Sequence, residues 1–211
     1  MPIVSTERLL IELSDDDGAI IQATDPECGH GFCDRSARPV PLRLHLLDGV
    51  SETVESFEWS HDGTPEGVIA LMWHLPDGIA VRATVGVHDP SAVAFRLGVE
   101  NRGTRAIVGV EYPVLGALTS ITPDGDGDSL VHAYATGFMV HNPMRSFTKD
   151  QPGLRYVPYP EGFSGATAQF FTYYGDAVSG LYVGTHDGEF GGKWLNCYKS
   201  TNGLLEASVI H

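Results

Sequence analysis

Residues 79–99, Ile79-Ala-Val-Arg-Ala-Thr-Val-Gly-Val-His-Asp-Pro-Ser-Ala-Val-Ala-Phe-Arg-Leu-Gly-Val99, decide the fold class. Ile79, Val81, Ala83, Val85 and Val87 share one face of an extended chain, with Arg82, Thr84 and His88 on the other. His88-Asp-Pro-Ser91 is a turn, after which Val93, Phe95, Leu97 and Val99 repeat the spacing until Asn101-Arg-Gly103 turns the chain again. Successive side chains of a strand point to opposite faces, so this period of two predicts half-buried antiparallel strands. Upstream, Leu42, Leu44 and Leu46 alternate with Arg43 and His45, and residues 54–59 and 68–74 follow after polar breaks. Residues 7–13 and 19–24 flank Ser14-Asp-Asp-Asp-Gly18, which reads as a hairpin with a solvated acidic tip. Downstream, residues 106–112 and 114–121 continue the series, and Pro113, lacking an N–H, is expected at an edge or a bulge. Short alternating strands with a turn about every ten residues predict an all-β fold, an antiparallel β-sandwich with little helix.

Residues 166–198 carry the densest aromatic and acidic chemistry. Residues 167–174 and 180–185 are strand-like runs joined by Gly175-Asp176, a hairpin signal, and 193–198 is a third strand candidate after the polar loop 186–192. Aromatic faces beside acids and amides suit a sugar, which offers C–H surface to a ring and hydroxyls to polar groups. Trp194, Tyr173 and Tyr174 are the stacking candidates, and His186, Asp187 and Glu189 the polar ones. Residues 137–165 lack periodicity and are rich in Pro and Gly, which predicts a long irregular excursion serving a site or folding onto the sandwich. That segment adds His141, Tyr159 and Glu161 to the carbohydrate-binding candidates.

Charge and cysteine content exclude several classes. Acidic residues outnumber basic ones 27 to 13 over 211 residues, with no Lys/Arg-rich run to follow a phosphate backbone or an anionic bilayer, so neither nucleic acid nor membrane is an expected partner. No apolar run reaches the ~18 residues of a membrane span, and Met1-Pro-Ile-Val-Ser-Thr-Glu-Arg-Leu-Leu10 is not a secretory signal, which points to the cytoplasm. Three cysteines make no disulfide framework. Cys28, His30 and Cys33 lack the second ligand pair of a zinc site apart from the distant Cys197. Asp124-Gly-Asp126-Gly-Asp128 begins like a calcium loop, but Ser129 stands where the template has Gly and Ala135 where it has Glu. Neither a metal nor a cofactor is expected.

Four motifs carry a family resemblance: Val99-Glu-Asn-Arg-Gly103, Val110-Glu-Tyr-Pro113, Tyr159-Pro-Glu-Gly162 leading to Ala168-Gln-Phe-Phe171, and Gly180-Leu-Tyr-Val-Gly-Thr-His-Asp187. Across roughly residues 75–211 the chain resembles an uncharacterised family of glycoside-hydrolase-like proteins. The resemblance implies a galactose-mutarotase-like β-supersandwich, normally followed by a TIM-type barrel that carries the catalytic carboxylates. Residues 1–211 are accordingly expected to form a single β-sandwich domain, the N-terminal part of a longer chain. Its expected role is accessory: packing on the barrel of a carbohydrate-active enzyme and lining its substrate site, with no catalytic residue of its own. Such a face predicts either a homodimer or an exposed apolar patch. Two alternatives are a stand-alone carbohydrate-binding module and a sugar-epimerase-like enzyme pairing His132, His141 or His186 with Glu161, Glu189 or Glu206.

Overall fold

Alternating apolar and polar residues produce strands along most of the chain. In the computed structural model, described for residues 1–61, 67–132, 137–148, 150–159, 171–186 and 192–211, the protein is all-β and the recorded strand pairs are antiparallel. It divides into two compact units, residues 1–115 and 116–211.

In the first unit, β1 (Ile3–Ser5), β2 (Leu10–Leu13), β3 (Ile20–Asp25) and β4 (His30–Gly31) form a meander in that order. The expected acidic hairpin is β2–β3. Its tip turns at Gly18, φ 74°, and the space a side chain would need is taken by the Phe57 ring, 2.7 Å from an ideal Cβ. Trp73 donates from Nε1 to the Asp17 carbonyl at 2.6 Å, so the tip is also tied from above.

β5 (Arg43–Leu46) and β6 (Gly49–Ser51) form a second hairpin, and β7 (Ser56–His61), β8 (Ile69–Leu75), β9 (Ile79–Asp89) and β10 (Ala92–Asn101) a four-stranded sheet ordered β10-β9-β8-β7. Its register sets Phe95 opposite Val85, and Val85 opposite Ile69. The inner face carries Ile69, Leu71, Trp73 and Leu75 of β8 with Ile79, Val81, Ala83 and Val85 of β9, all buried.

β11 (Ile107–Leu118) pairs with β5 and brings Tyr112 onto that inner face, its ring centroid 5.4 Å from Trp73 and 5.8 Å from Phe95, both edge-on. The two sheets of this unit therefore meet face to face through aromatic rings. Pro113 does not interrupt β11. The ladder to β5 spans residues 107–111, so the missing N–H falls beyond it, and the bulge expected at Pro113 lies instead between Ile107 and Gly109.

Tyr112 has one anomaly: its buried hydroxyl finds no hydrogen-bond partner among the described residues. Burial alone pushes its phenol far above the ordinary range. An unpartnered buried hydroxyl costs on the order of 1 kcal/mol, so Tyr112→Phe is expected to leave stability unchanged or raise it by up to about that amount. Urea denaturation checks this, and a loss of more than about 1 kcal/mol would mean that the hydroxyl contributes a bond after all.

The second unit contains β12 (Ser129–His132), β13 (Phe138–His141), a one-turn α1 (Pro143–Ser146), β14 (Gly153–Tyr159), β15 (Phe171–Gly175), β16 (Gly180–Gly184), β17 (Lys193–Lys199) and β18 (Leu205–Ile210). One sheet is ordered β13-β12-β15-β16, and β14-β17-β18 are adjacent in another. The predicted hairpin is β15–β16, its turn fixed by Asp176, whose Oδ1 accepts from Val178 N at 2.6 Å and Ser179 N at 2.8 Å. The third predicted run is β17, but it belongs to the other sheet. Val183 of β16 packs on Leu195 and Val209, which joins the two sheets of this unit.

The irregular excursion expected over residues 137–165 is corrected as far as residue 159 by β13, α1 and β14, and residues 149 and 160–165 lie outside the described residues. β13 has only four residues, and β14 has a register shift between Leu154 and Val157 with Tyr156 left-handed at φ 56°, so neither shows a sustained period of two. Among the described residues, no helix is long and apolar enough to cross a membrane.

Candidate functional site

The outward face of the β13-β12-β15-β16 sheet is the candidate site. Cross-strand pairing puts Met139, Val131, Tyr173 and Tyr182 in one row and His141, Ser129, Gly175 and Gly180 in the next. Partners in register share a face, so residues of these two rows, two apart along each strand, lie on the same side. Met139 and Tyr182 are each 53% exposed, which is high for large apolar side chains on a sheet. Ser129 Oγ and His141 Nδ1 share a hydrogen bond at 3.2 Å across the first pair of strands.

Tyr182 is the best-formed element of this face. Gly184, two residues on, has no side chain, and the tyrosine ring fills the space: an ideal Cβ there would lie 2.7 Å from Tyr182 Cζ and 2.8 Å from Cε1, with the hydroxyl closer still. The ring thus lies over the strand. Its hydroxyl shares a 3.1 Å hydrogen bond with His186 Nε2, the two ring centroids 6.0 Å apart and tilted by 38°. Partial burial of the hydroxyl end raises the phenol above its ordinary range, so it stays protonated near neutrality. The result is a fixed, flat, half-exposed ring with an imidazole at its rim, on an edge strand.

No protein-family model matches the chain, and no curated protein matches it.

Of the residues singled out in the sequence, His186 belongs to this platform, His141 lies across the same sheet on β13, and Tyr173 occupies the register position between Val131 and Tyr182. Tyr159 stands on β14 opposite Lys193. Glu161, Asp187 and Glu189 lie outside the described residues.

Tyr174 is a correction. It is 2% exposed and donates to the Thr119 carbonyl at 2.8 Å and to Asp128 Oδ2 at 3.0 Å, so its ring offers nothing to a ligand. Burial first, and then the neighbouring Asp128 carboxylate, raise its phenol well above the ordinary range. Leu130, the register partner of Tyr174 on β12, is buried as well, so this row of the sheet faces inward. Tyr182 escaped the sequence reading. Its signal was parity: with Leu181 and Val183 packed inward, Tyr182 between them has to face out.

Trp194 is half-buried on β17, opposite Ile210. It shares a face with Asn196 and Tyr198, whose partners on β18 are Ser208 and Glu206. This face is internally bonded: Tyr198 donates to Glu206 Oε1 at 2.7 Å, Tyr156 N to Asn196 Oδ1 at 2.8 Å, and the Arg155 guanidinium lies 4.3 Å from the Tyr198 ring centroid. Glu206 is buried and so engaged, which removes it as a solvent-facing base; His132 is buried too.

The first unit has a polar cluster that alternation alone disguised. Arg43 and His45 do not face water but the buried Glu111, with Arg43 Nη1 at 3.0 Å from Oε1 and His45 Nε2 at 2.9 Å from Oε2. Here a His and a Glu do meet, but in direct contact, with no room for a substrate between them.

The metal readings gain nothing. Among the described residues no cluster of three or more His, Cys, Asp or Glu is placed to hold an ion. Asp128 of the Asp124–Asp128 loop accepts from Ile121 N, Thr122 N and Thr122 Oγ1 as well as from Tyr174. Burial pushes the Cys33 thiol up to about 11, which works against a thiolate ligand.

Proposed function

We propose that this chain is a carbohydrate-contacting β-domain of a carbohydrate-active enzyme, accessory to a catalytic barrel rather than itself the site of bond cleavage. The reading rests on the Tyr182 ring, half exposed, laid over Gly184 and tied to His186 on the open face of a sheet. A pyranose can set its C–H face on that ring and direct a hydroxyl to the imidazole. The resemblance of residues 75–211 to domains that precede glycosidase-like barrels supports the same reading. Glycoside cleavage normally needs two carboxyls ~5 to ~9.5 Å apart around the scissile bond. Among the buried carboxylates of the described residues, Glu111, Asp128 and Glu206 are committed to internal hydrogen bonds, Glu12 pairs with Arg35 and Asp25 accepts from Glu27 N, which makes them poor candidates for that work.

A glycan array followed by calorimetry on the bound saccharides tests the reading. Tyr182→Ala is expected to weaken binding about tenfold or more, equivalent to about 1.4 kcal/mol. Gly184→Val, with a β-branched residue suited to a strand, should lift the ring and weaken binding comparably. Wild-type affinity in Tyr182→Ala, or an array on which nothing binds, would sink the proposal.

A further inference from the structure

The outer face of β9–β10, in the first unit, offers a second binding chemistry that does not depend on the carbohydrate reading. Arg82 of β9 pairs in register with Gly98 of β10, and Arg96, two residues before Gly98, shares that face. Three arginines with Arg102, on a chain with only 13 basic residues against 27 acidic ones, form a local reversal of sign. At Gly98 the face is bare: an ideal Cβ there would meet nothing within 4 Å. Around this gap runs a cleft of about 310 Å3 lined by Arg82, Gly98, Val99, Glu100 and Arg102. That is the lower end of small-ligand sites.

Glu100 stands between two of the guanidiniums, its Oε1 accepting from Arg102 Nε at 2.7 Å and its Oε2 from Arg82 Nη2 at a long 3.4 Å. One carboxylate uses few of their N–H groups, and neither guanidinium has a further partner among the described residues. Arg96 makes no ion pair among the described residues. Glu100 thus positions the guanidiniums and leaves most of their donors turned outward, a fork geometry that matches a phosphate or carboxylate oxygen pair.

We infer that this cleft binds a small oxyanion, a phosphate or carboxylate group, between Arg82 and Arg102 over the floor left open by Gly98. Because the arginines are exposed, solvent screens the attraction and the affinity is expected near 1 mM, a value set by order of magnitude.

The test follows arginine Nε–Hε signals by 1H–15N NMR while inorganic phosphate, or separately glucuronate, is titrated against sodium chloride at matched ionic strength. Saturable shifts at Arg82 and Arg102 are expected. The stronger of the two probes tells whether the site prefers a tetrahedral anion or the planar carboxylate of an acidic sugar. Arg82→Gln should weaken binding about tenfold, and Glu100→Gln, which removes the competing carboxylate, should tighten it severalfold. Gly98→Val keeps every charge, suits a strand and fills open space, so the protein folds while the floor is lost and saturation disappears. Shifts no larger than those of chloride, or Gly98→Val binding as tightly as the wild type, would show a diffuse charge effect and overturn the assignment.

Discussion

Replacing Asp128 by alanine is expected to lower the stability of the second unit by roughly 3–5 kcal/mol, because a buried acceptor of several hydrogen bonds is lost with nothing to replace it. Its carboxylate is fully buried and accepts from Ile121 N at 2.9 Å, Thr122 N at 2.8 Å, Thr122 Oγ1 at 2.9 Å and Tyr174 OH at 3.0 Å. The first three fold residues 121–128 back on themselves, and the fourth pins that loop to β15. Alanine would leave two backbone N–H groups and the Thr122 hydroxyl seeking partners, while the Tyr174 hydroxyl keeps the Thr119 carbonyl, and each orphaned buried group costs on the order of 1–3 kcal/mol, less than additively. Asp128→Asn, isosteric but with one acceptor in place of two, should lose about half as much, and Tyr174→Phe about 1 kcal/mol. Chemical denaturation of the three variants gives the ranking. A loss below about 1 kcal/mol for Asp128→Ala would refute the account.

Glu111→Ala should be comparably severe in the first unit, at roughly 3–5 kcal/mol, since it strands the Arg43 guanidinium and the His45 imidazole away from water. Arg43 and His45 point at Glu111 from β5, with side chains only 13% and 12% exposed, while the carboxylate itself is 3% exposed. Arg43 keeps a second partner, Glu52 at 2.7 Å, which limits the damage on that side. Desolvation rather than attraction dominates such clusters, so removing both ends does less harm than removing one. Arg43→Met combined with Glu111→Leu is therefore expected to recover part of the loss of Glu111→Ala. A double variant as unstable as the single one would show that packing, and not stranded charge, sets the cost.

These two residues mark what was legible in the sequence and what was not. The strands β9 and β10 could be read directly, since Ile79 to Val87 and Val93 to Val99 alternate cleanly and are divided by a Pro-containing turn. The β15–β16 hairpin was equally plain from Gly175-Asp176. Alternation reports two faces but not what covers them, which is why Arg43 and His45 read only as the polar alternates of Leu42, Leu44 and Leu46 when a buried carboxylate lies opposite. Asp128 read only as the third acid of an incomplete calcium loop because sequence spacing does not show that backbone N–H groups converge on it. At the candidate site, His186 was found from its polar loop, while Tyr182 was passed over for the more conspicuous Tyr173-Tyr174 pair. The glycine that seats the Tyr182 ring has no side chain to advertise the contact.

The three cysteines have a practical bearing on any measurement of assembly. Cys33 and Cys197 are buried, and burial pushes the Cys197 thiol up to about 12 as it does the Cys33 thiol, so both are shielded from reagents and slow to ionise. Cys28 alone is exposed. In air-oxidised buffer two copies can join through that one thiol, and the crosslinked species would run in gel filtration like a dimer held by apolar surface. Sizing columns and light scattering on this chain therefore mean something only with reductant present, or with Cys28 replaced by serine.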